Sequence, residues 1–140
     1  MSITIAKNAG FCFGVKKAVD SVYLALDNGE KIAVFGELIH NKQVIKDLVD
    51  RGVVFIERLE DCPSDATLVI RTHGVGSDVI KKAYDISKQV MDLTCPYVKK
   101  IHDIVSQYCD KGYSVVIVGD KQHPEVVGIT GWCDGSLVVY

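Results

Sequence analysis

Five short apolar runs in this chain each end in a cysteine or a histidine. Thiolates bind soft metal ions, and imidazoles donate hydrogen bonds to anions and can become charged near neutral pH. The placement of these side chains therefore predicts a site that combines soft-metal binding with anion binding. They are Cys12, His40, His73, Cys95 and His123, at the ends of the runs ITIAKNAGFC, IAVFGELIH, LVIRTH, VMDLTC and VVIVGDKQH.

The elements that must position these side chains are strands that alternate with helices. Each run has strand character, and a helix-like pattern follows four of the five. Such alternation predicts an α/β fold with parallel sheets flanked by helices, whose ligand sites lie outside the carboxyl ends of the strands. We therefore expect the five side chains to reach the same edge. The predicted strands span residues 3–6, 32–35, 53–56, 68–70, 90–91, 115–118 and 137–140. The strand at 115–118 is predicted to be buried. Residues 57–65 are predicted to form a loop, and Ser77 is predicted to be a helix N-cap.

The composition is that of an ordinary globular protein. The 140 residues are 48% hydrophobic and 24% charged, enough for one domain or two small lobes with a core. A formal net charge of −2 gives no reason to expect a nucleic acid or a membrane surface as a partner. The first residues lack a signal-peptide pattern, and no apolar run is long enough to span a bilayer. Five scattered cysteines without a C-x-x-C pair favour a reduced, cytoplasmic setting over a disulfide framework.

Cys12 and Cys95 occupy equivalent positions, after a strand-like run and before a helix. Gly10 and Gly14 flank Cys12 and permit a tight turn and the close approach of a ligand, while Pro96 follows Cys95 at a first helical position. The positive end of a helix dipole favours the thiolate, which is the form that binds metal. Either cysteine alone could be a small buried hydrophobe, but the equivalent placement of two favours a metal site.

The remaining cysteines and the fourth histidine are interpreted as structural. Packing explains their settings better than ligand binding does. Cys109 and His102 lie on or beside the apolar face of one predicted helix, Cys62 lies in a loop before a proline, and Cys133 lies in a polar turn.

Each of His40, His73 and His123 is followed by a residue typical of a helix start. A single histidine at a strand end usually satisfies a neighbouring backbone group, but three in equivalent positions favour an anion site. A diphosphate is the kind of ligand that such a cluster suits. Glu125, two residues after His123, is either a carboxylate that stabilises a helix start or a proton donor that faces a desolvated site. The sequence leaves both interpretations open.

Five short motifs are spread in order over most of the chain. They are Gly10-Phe11-Cys12-Phe13-Gly14-Val15, His40-Asn41, His73-Gly74-Val75, Thr94-Cys95-Pro96 and His123-Pro124-Glu125-Val126 with Gly128. On these motifs the chain resembles the LytB/IspH family, the 4-hydroxy-3-methylbut-2-enyl diphosphate reductases of isoprenoid biosynthesis. The number and order of the motifs make this resemblance specific.

The resemblance implies a trilobed α/β protein with a 4Fe-4S cluster at its centre. The two cysteines at the run ends, Cys12 and Cys95, would bind the cluster, and the three histidines at the run ends would hold the substrate diphosphate. Glu125 would belong to a proton relay. The implied reaction removes the C4 hydroxyl of the allylic diphosphate with two electrons and two protons, giving isopentenyl and dimethylallyl diphosphate. An electron-donor protein such as ferredoxin or flavodoxin is the implied partner.

The resemblance also implies that this chain is an amino-terminal fragment. The family's cluster has a third cysteine ligand from a region without a counterpart here, and none of Cys62, Cys109 and Cys133 has a comparable setting. Residues 1–13 would supply a strand to an absent third lobe, residues 14–95 would form the first α/β lobe, and residues 96–140 would form part of the second. Such a fragment is expected to hold a complete cluster poorly and to be inactive alone.

Two other functions fit the same residues. A non-redox α/β module could hold zinc through Cys12, Cys95 and histidines, or bind an anion, although these ligands are widely separated and no short-range pair is present. The chain could also be a structural remnant without activity. Zinc without labile sulfide is expected for the first of these, whereas iron with acid-labile sulfide is expected for the reductase.

Overall fold

A helix follows each of the five cysteine- or histidine-terminated runs in the computed structural model, which describes residues 2–7 and 9–139. The helices are α1 (Phe13–Asp27), α2 (Lys42–Asp50), α3 (Ser77–Ile86), α4 (Pro96–Asp110) and α5 (Pro124–Thr130). Within the described ranges, no helix is both long and apolar enough to cross a membrane.

The strands are β1 (Ile32–Phe35), β2 (Val54–Ile56), β3 (Thr67–Ile70), β4 (Val90–Asp92), β5 (Val116–Val118) and β6 (Leu137–Val139). A 3₁₀ turn (Leu59–Asp61) lies in the predicted loop. Tyr140, at the end of the last predicted strand, lies outside the described residues.

Four parallel strands form the first sheet, in the order β2-β1-β3-β4. The two central strands, β1 and β3, are almost entirely buried because helices cover both faces of the sheet. Helices α1 and α2 pack on one face around Val34 and Val69, and α3 packs on the other face around Leu68 and Ile70. The predicted α/β class is confirmed. The carboxyl ends of β1, β3 and β4 share one edge, and the segments that leave it carry His40, His73 and Cys95.

The second sheet pairs β5 with β6, again in parallel. The strand predicted at 115–118 is present as β5, but its predicted burial is wrong, since Val116 is 58% exposed and Val118 is 82% exposed. A two-stranded sheet has too few neighbours to bury both of its faces. The segment after β5 carries His123, so this second sheet contributes the third histidine.

Helix α5 lies directly against the segment that follows β3. A Cβ atom at Gly131 would come within 2.5 Å of the Cα atom of Gly76. A Cβ atom at Gly76 would likewise come within 2.9 Å of the Cα atom of Gly131, so glycine at both positions allows these two backbones to approach so closely. Ser77 donates two hydrogen bonds to the carbonyl of Gly131, from its backbone N–H at 3.1 Å and its hydroxyl at 2.9 Å. This contact fixes α5 against the first sheet.

Trp132 and His102 extend the same contact. Nε1 of Trp132 donates to the carbonyl of Val75 at 2.9 Å, and the indole stacks on the His102 ring with centroids 5.0 Å apart. His102 is 3% exposed, and its ring edge fills the space that a Cβ at Gly74 would need. The interpretation of His102 as a packing residue therefore agrees with the structure.

The predicted N-cap of α3 is corrected. Gly76 is the N-cap and Ser77 is the first helical residue. The hydroxyl of Ser77 donates to the carbonyl of Gly131, at the end of α5, instead of bonding to its own helix. The side chain that was predicted to cap α3 therefore makes a tertiary contact.

Residues 2–7 form no strand, although one was predicted at 3–6. Ile3 and Ile5 are 82% and 81% exposed, and an isolated strand has no neighbour to pair with its backbone groups. The assignment of residues 1–13 to a third lobe stays a prediction, as do the lobe boundaries 14–95 and 96–140. Met1 and Asn8 lie outside the described residues.

Cys109 and Cys133 form a disulfide bond, with their Cα atoms 5.6 Å apart. The interpretation of each as a separate packing residue is corrected. They meet because α4 packs against α5, which brings the end of α4 beside the turn that follows α5. Cys12, Cys62 and Cys95 are free thiols. The cytoplasmic setting stays a prediction.

Candidate anion and metal site

Three imidazole rings meet at the carboxyl edge of the first sheet. His40 follows β1, His73 follows β3, and His123 follows β5 as the N-cap of α5. The ring centroids are 4.3 Å apart for His40 and His73, 6.1 Å for His40 and His123, and 6.2 Å for His73 and His123. The structure thus brings together all three histidines that the sequence singled out, one of them through the contact of α5.

His73 is the buried member of this cluster, with 8% of its surface exposed. Burial, together with the nearby His40, Arg71 and His123, lowers the pKa of His73 to about 4, while Glu37 opposes them. Its Nδ1 atom is buried without a hydrogen-bond partner among the described residues. A desolvated, unpaired imidazole is unfavourable in the ligand-free protein. A bound anion would reverse these effects, because negative charge favours the imidazolium.

A backbone contact orients His123. Its Nδ1 accepts a hydrogen bond from the N–H of Glu125 at 3.2 Å. A neutral ring whose Nδ1 accepts carries its proton on Nε2, so Nε2 is the donor that His123 can offer to a ligand. Glu125 lies half-buried in the first turn of α5. Its backbone role was not anticipated, whereas the role of its carboxyl group stays a prediction.

His40 is exposed and lies beside an open groove. Its Nδ1 is 3.5 Å from Oε2 of Glu37. The groove has a volume of ≈ 430 Å³ and is lined by Glu37, His40, Asn41, Lys42, Ile45 and Lys46. The two lysines add positive charge next to the imidazole. Sequence reasoning missed them, because a lysine in a helix gives no signal until the helix is placed beside a histidine.

The helix starts offer fewer unbonded N–H groups at this edge than the sequence suggested. His123 caps α5, but His40 precedes Asn41, the N-cap of α2, and His73 lies in the loop before Gly76. In α2 and α5 an N–H near the helix start is already bonded, to the side chains of Asn41 and His123. An anion at this edge would therefore find its hydrogen-bond donors mainly in the imidazoles.

Cys12 and Cys95 are the N-caps of α1 and α4, and both are free thiols. Neither side chain bonds to its own helix, so both sulfur atoms can take another partner. The sulfur of Cys95 lies against Gly14, where a Cβ atom would come within 2.7 Å of it. The sequence indicated that this glycine permits a close approach to the backbone, and the structure places the Cys95 thiol there. The contact makes the first turns of α1 and α4 neighbours.

Hydrogen bonds fix the turn that carries Cys95. Its N–H donates to the carbonyl of Thr72 at 2.9 Å. Oδ1 of Asp92 accepts from Thr94 twice, from the backbone N–H at 3.0 Å and from the hydroxyl at 2.6 Å, and Lys99 pairs with the same carboxylate at 2.6 Å. These supporting residues were missed by sequence reasoning, because their partners are distant in the chain or lie across a turn.

The candidate ligands form two groups. In residues 2–7 and 9–139, no three His, Cys, Asp or Glu side chains converge so as to hold a metal ion. The imidazoles lie with one another, and the Cys95 thiol lies against the start of the helix that Cys12 caps. The zinc site considered from the sequence, with both thiols and histidines as ligands, is not formed by this part of the chain.

The sequence family described as LytB protein matches residues 3–140. The chain belongs to the LytB family. A 4-hydroxy-3-methylbut-2-enyl diphosphate reductase from Clostridioides difficile (strain 630) is 44% identical over 140 residues, which cover 99% of this chain and 50% of the relative. A protein of the same name from Thermoanaerobacter sp. (strain X514) is 48% identical over 147 residues, with coverage of 99% and 50%. The chain therefore spans about half the length of the curated relatives it matches.

Two solved structures share the fold. The E-1-hydroxy-2-methyl-but-2-enyl-4-diphosphate reductase of Plasmodium falciparum matches with a TM-score of 0.88 and 31% identity, over 95% of this chain and 42% of that one. An (E)-4-hydroxy-3-methyl-but-2-enyl diphosphate reductase, described as the terminal enzyme of the non-mevalonate pathway, matches with a TM-score of 0.80 and 40% identity, over 97% and 50%. The predicted family and fold class are confirmed.

Acidification should destabilise the chain through His73. An unfolded imidazole has a pKa of 6.5, whereas the pKa of His73 in the fold is about 4, so the folded state resists protonation. The stability that depends on neutral His73 is complete above pH 6.5 and is lost as the pH falls towards 4. The difference between the two pKa values corresponds to roughly 3 kcal/mol. Chemical denaturation across this pH range should show that decrease in the free energy of unfolding.

The matched variant is His73→Gln, which should lose this part of the pH dependence. Some slope should remain, because burial also lowers the pKa of His102. An identical pH dependence in the variant and the parent would contradict the assignment.

Proposed function

We propose that this chain forms the diphosphate-binding part, and two-thirds of the cluster-binding part, of an iron–sulfur reductase. Its substrate would be (E)-4-hydroxy-3-methylbut-2-enyl diphosphate. The reaction would break the bond between C4 and its hydroxyl oxygen, with two electrons and two protons consumed and water released, to give isopentenyl and dimethylallyl diphosphate. The names of the relatives support this proposal. Because the chain spans about half of the length of these relatives, the activity is proposed for the intact protein.

The observation that carries the proposal is the unfavourable state of His73 in the ligand-free site. Its ring is buried, unpaired at Nδ1 and surrounded by His40, His123 and Arg71, which all disfavour its protonation. A diphosphate offers several anionic oxygens on two adjacent phosphate groups, so it can accept hydrogen bonds from three imidazoles at once. Its charge would stabilise the imidazolium forms and offset the desolvation of His73.

Cys12 and Cys95 would be two thiolate ligands of a 4Fe-4S cluster. Both are free, both cap a helix whose dipole favours the thiolate, and the contact of Cys95 with Gly14 places the two helix starts side by side. Such a cluster supplies electrons and a Lewis-acidic iron for the leaving hydroxyl. The third ligand would come from outside this chain, since Cys62 lies in the loop after Leu59–Asp61, and Cys109, which is bonded to Cys133, lies at the opposite end of α4 from Cys95.

The reductase would also need a source of electrons and a proton donor. We assign the first role to an electron-donor protein such as ferredoxin or flavodoxin, and the second to Glu125, which lies two residues from His123. A reducing cytoplasm would keep Cys12 and Cys95 as thiols, and it would also favour reduction of the bond between Cys109 and Cys133. The net charge of −2 favours neither a nucleic acid nor a membrane surface as a further partner.

Replacement of Cys95 by Ser in the intact, anaerobically purified protein should abolish cluster binding. A hydroxyl is a poor ligand for iron in place of a thiolate, so iron, acid-labile sulfide and the visible absorption should fall together with reductant-dependent turnover. Metal analysis, sulfide determination and absorption spectroscopy measure this outcome independently of activity.

The matched control is Cys62→Ser, because Cys62 is also a free thiol but lies in the loop after Leu59–Asp61. That variant should keep its iron and its sulfide. Full iron content in Cys95→Ser would contradict the cluster assignment. Stoichiometric zinc without labile sulfide in the parent protein would favour the non-redox module instead.

Replacement of Glu125 by Gln should slow the reaction without weakening diphosphate binding. The amide cannot deliver a proton, while the backbone N–H that orients His123 is retained. We expect kcat to fall about 100-fold or more, with the Kd for inorganic pyrophosphate changed less than about twofold. An unchanged kcat would leave Glu125 as a residue that only stabilises the start of α5.

A further inference from the structure

We propose that Thr72 is a positioning residue that holds the His40 loop and the Cys95 turn in place on either side of His73. The His40 loop comprises residues 36–40. Thr72 is 5% exposed and lies directly before His73, just beyond the end of β3. The inference rests on the proposed function, because it concerns the geometry in which the diphosphate would be bound.

The side chain of Thr72 binds the His40 loop. Its hydroxyl donates to the carbonyl of Leu38 at 2.9 Å, and its backbone N–H donates to the same oxygen at 3.3 Å. Leu38 is completely buried, so water cannot replace these donors. His40 follows two residues later and its ring packs on His73. The hydroxyl of Thr72 therefore acts on the spacing of this imidazole pair.

The backbone carbonyl of Thr72 binds the thiol side of the site. It accepts the hydrogen bond from the N–H of Cys95 at 2.9 Å. Thr72 is thus the chain neighbour of His73, whose ring is buried. It is hydrogen-bonded both to Leu38 in the His40 loop and to Cys95, the N-cap of α4. One residue connects the group proposed to bind the diphosphate with the group proposed to bind the cluster.

Arg71 supports the start of the same loop. Gly36 has a φ of +70°, a conformation that favours glycine, and a side chain there would collide with the guanidinium of Arg71. The N–H of Gly36 also donates to the carbonyl of Ile56 at 2.9 Å. The bond from Gly36 to Ile56 fixes the start of the His40 loop. The bond from the Thr72 hydroxyl to Leu38 therefore restrains the remaining part of the loop, which leads to His40.

Thr72→Val in the intact protein removes the hydroxyl and keeps the shape of the side chain. The carbonyl of Leu38 would retain only the longer bond at 3.3 Å, so the loop should move more freely. We expect faster amide hydrogen exchange in residues 36–41 and a Kd for inorganic pyrophosphate about tenfold higher. The substrate KM should rise with kcat changed less than about twofold, and iron and sulfide content should be unchanged, because the bond to Cys95 is made by the backbone.

Thr67→Val is the matched control. Thr67 is also 5% exposed and lies at the other end of β3, where its hydroxyl bonds to Glu30 and Gln89, far from the histidines. This variant should lose comparable stability without faster exchange in residues 36–41. Thr72→Ser, which keeps a hydroxyl donor, should restore the pyrophosphate affinity.

Three results would overturn the inference. They are unchanged exchange in Thr72→Val, an unchanged pyrophosphate Kd in that variant, and an equal loss of affinity in Thr67→Val. A parent protein that binds no pyrophosphate would overturn the proposed diphosphate site. The exchange data would still show whether Thr72 restrains the His40 loop. Failure of the diphosphate site and failure of the Thr72 inference are therefore distinguishable.

Discussion

The close approach of α5 to the segment after β3 is the contact on which the candidate site depends. Gly131 lies against Gly76, so a Cβ atom added at either position would push the two backbones apart. His123 reaches His40 and His73 only because α5 is seated there. Without this contact, the first sheet would present two imidazoles and the third would belong to a separate lobe.

The same geometry disfavours a positive charge on His73 in the ligand-free site. Three imidazoles and Arg71 lie close together, and the most buried ring, that of His73, has a pKa of about 4. The folded state therefore favours the neutral ring, and protonation of His73 would cost stability unless a negative charge lay close to it. The thiols are arranged differently, at two adjacent helix starts and outside the imidazole cluster.

Much of this fold follows from local sequence patterns. The alternation of apolar runs with helical spacing predicted the α/β class and placed the chemistry-bearing residues at strand ends, because period and strand polarity are local properties. The resemblance of five short motifs predicted the LytB family. The contacts that complete the site were not predictable in this way. The bond of Thr72 to Leu38, the pairing of Cys109 with Cys133 and the glycine contacts of α5 all depend on the position of distant elements. Exposure of Val116 and Val118 was missed for the same reason, since burial is decided by neighbours.

We propose that the three imidazoles form one anion site in which a positive charge on His73 is disfavoured until the site is filled. The most direct measurement is the pKa of His73 by NMR titration of the intact protein, without ligand and with saturating inorganic pyrophosphate. The account predicts a pKa of about 4 without ligand and a clear rise when pyrophosphate binds. A pKa that does not change on binding, or one that is already near 6.5 in the free protein, would contradict it.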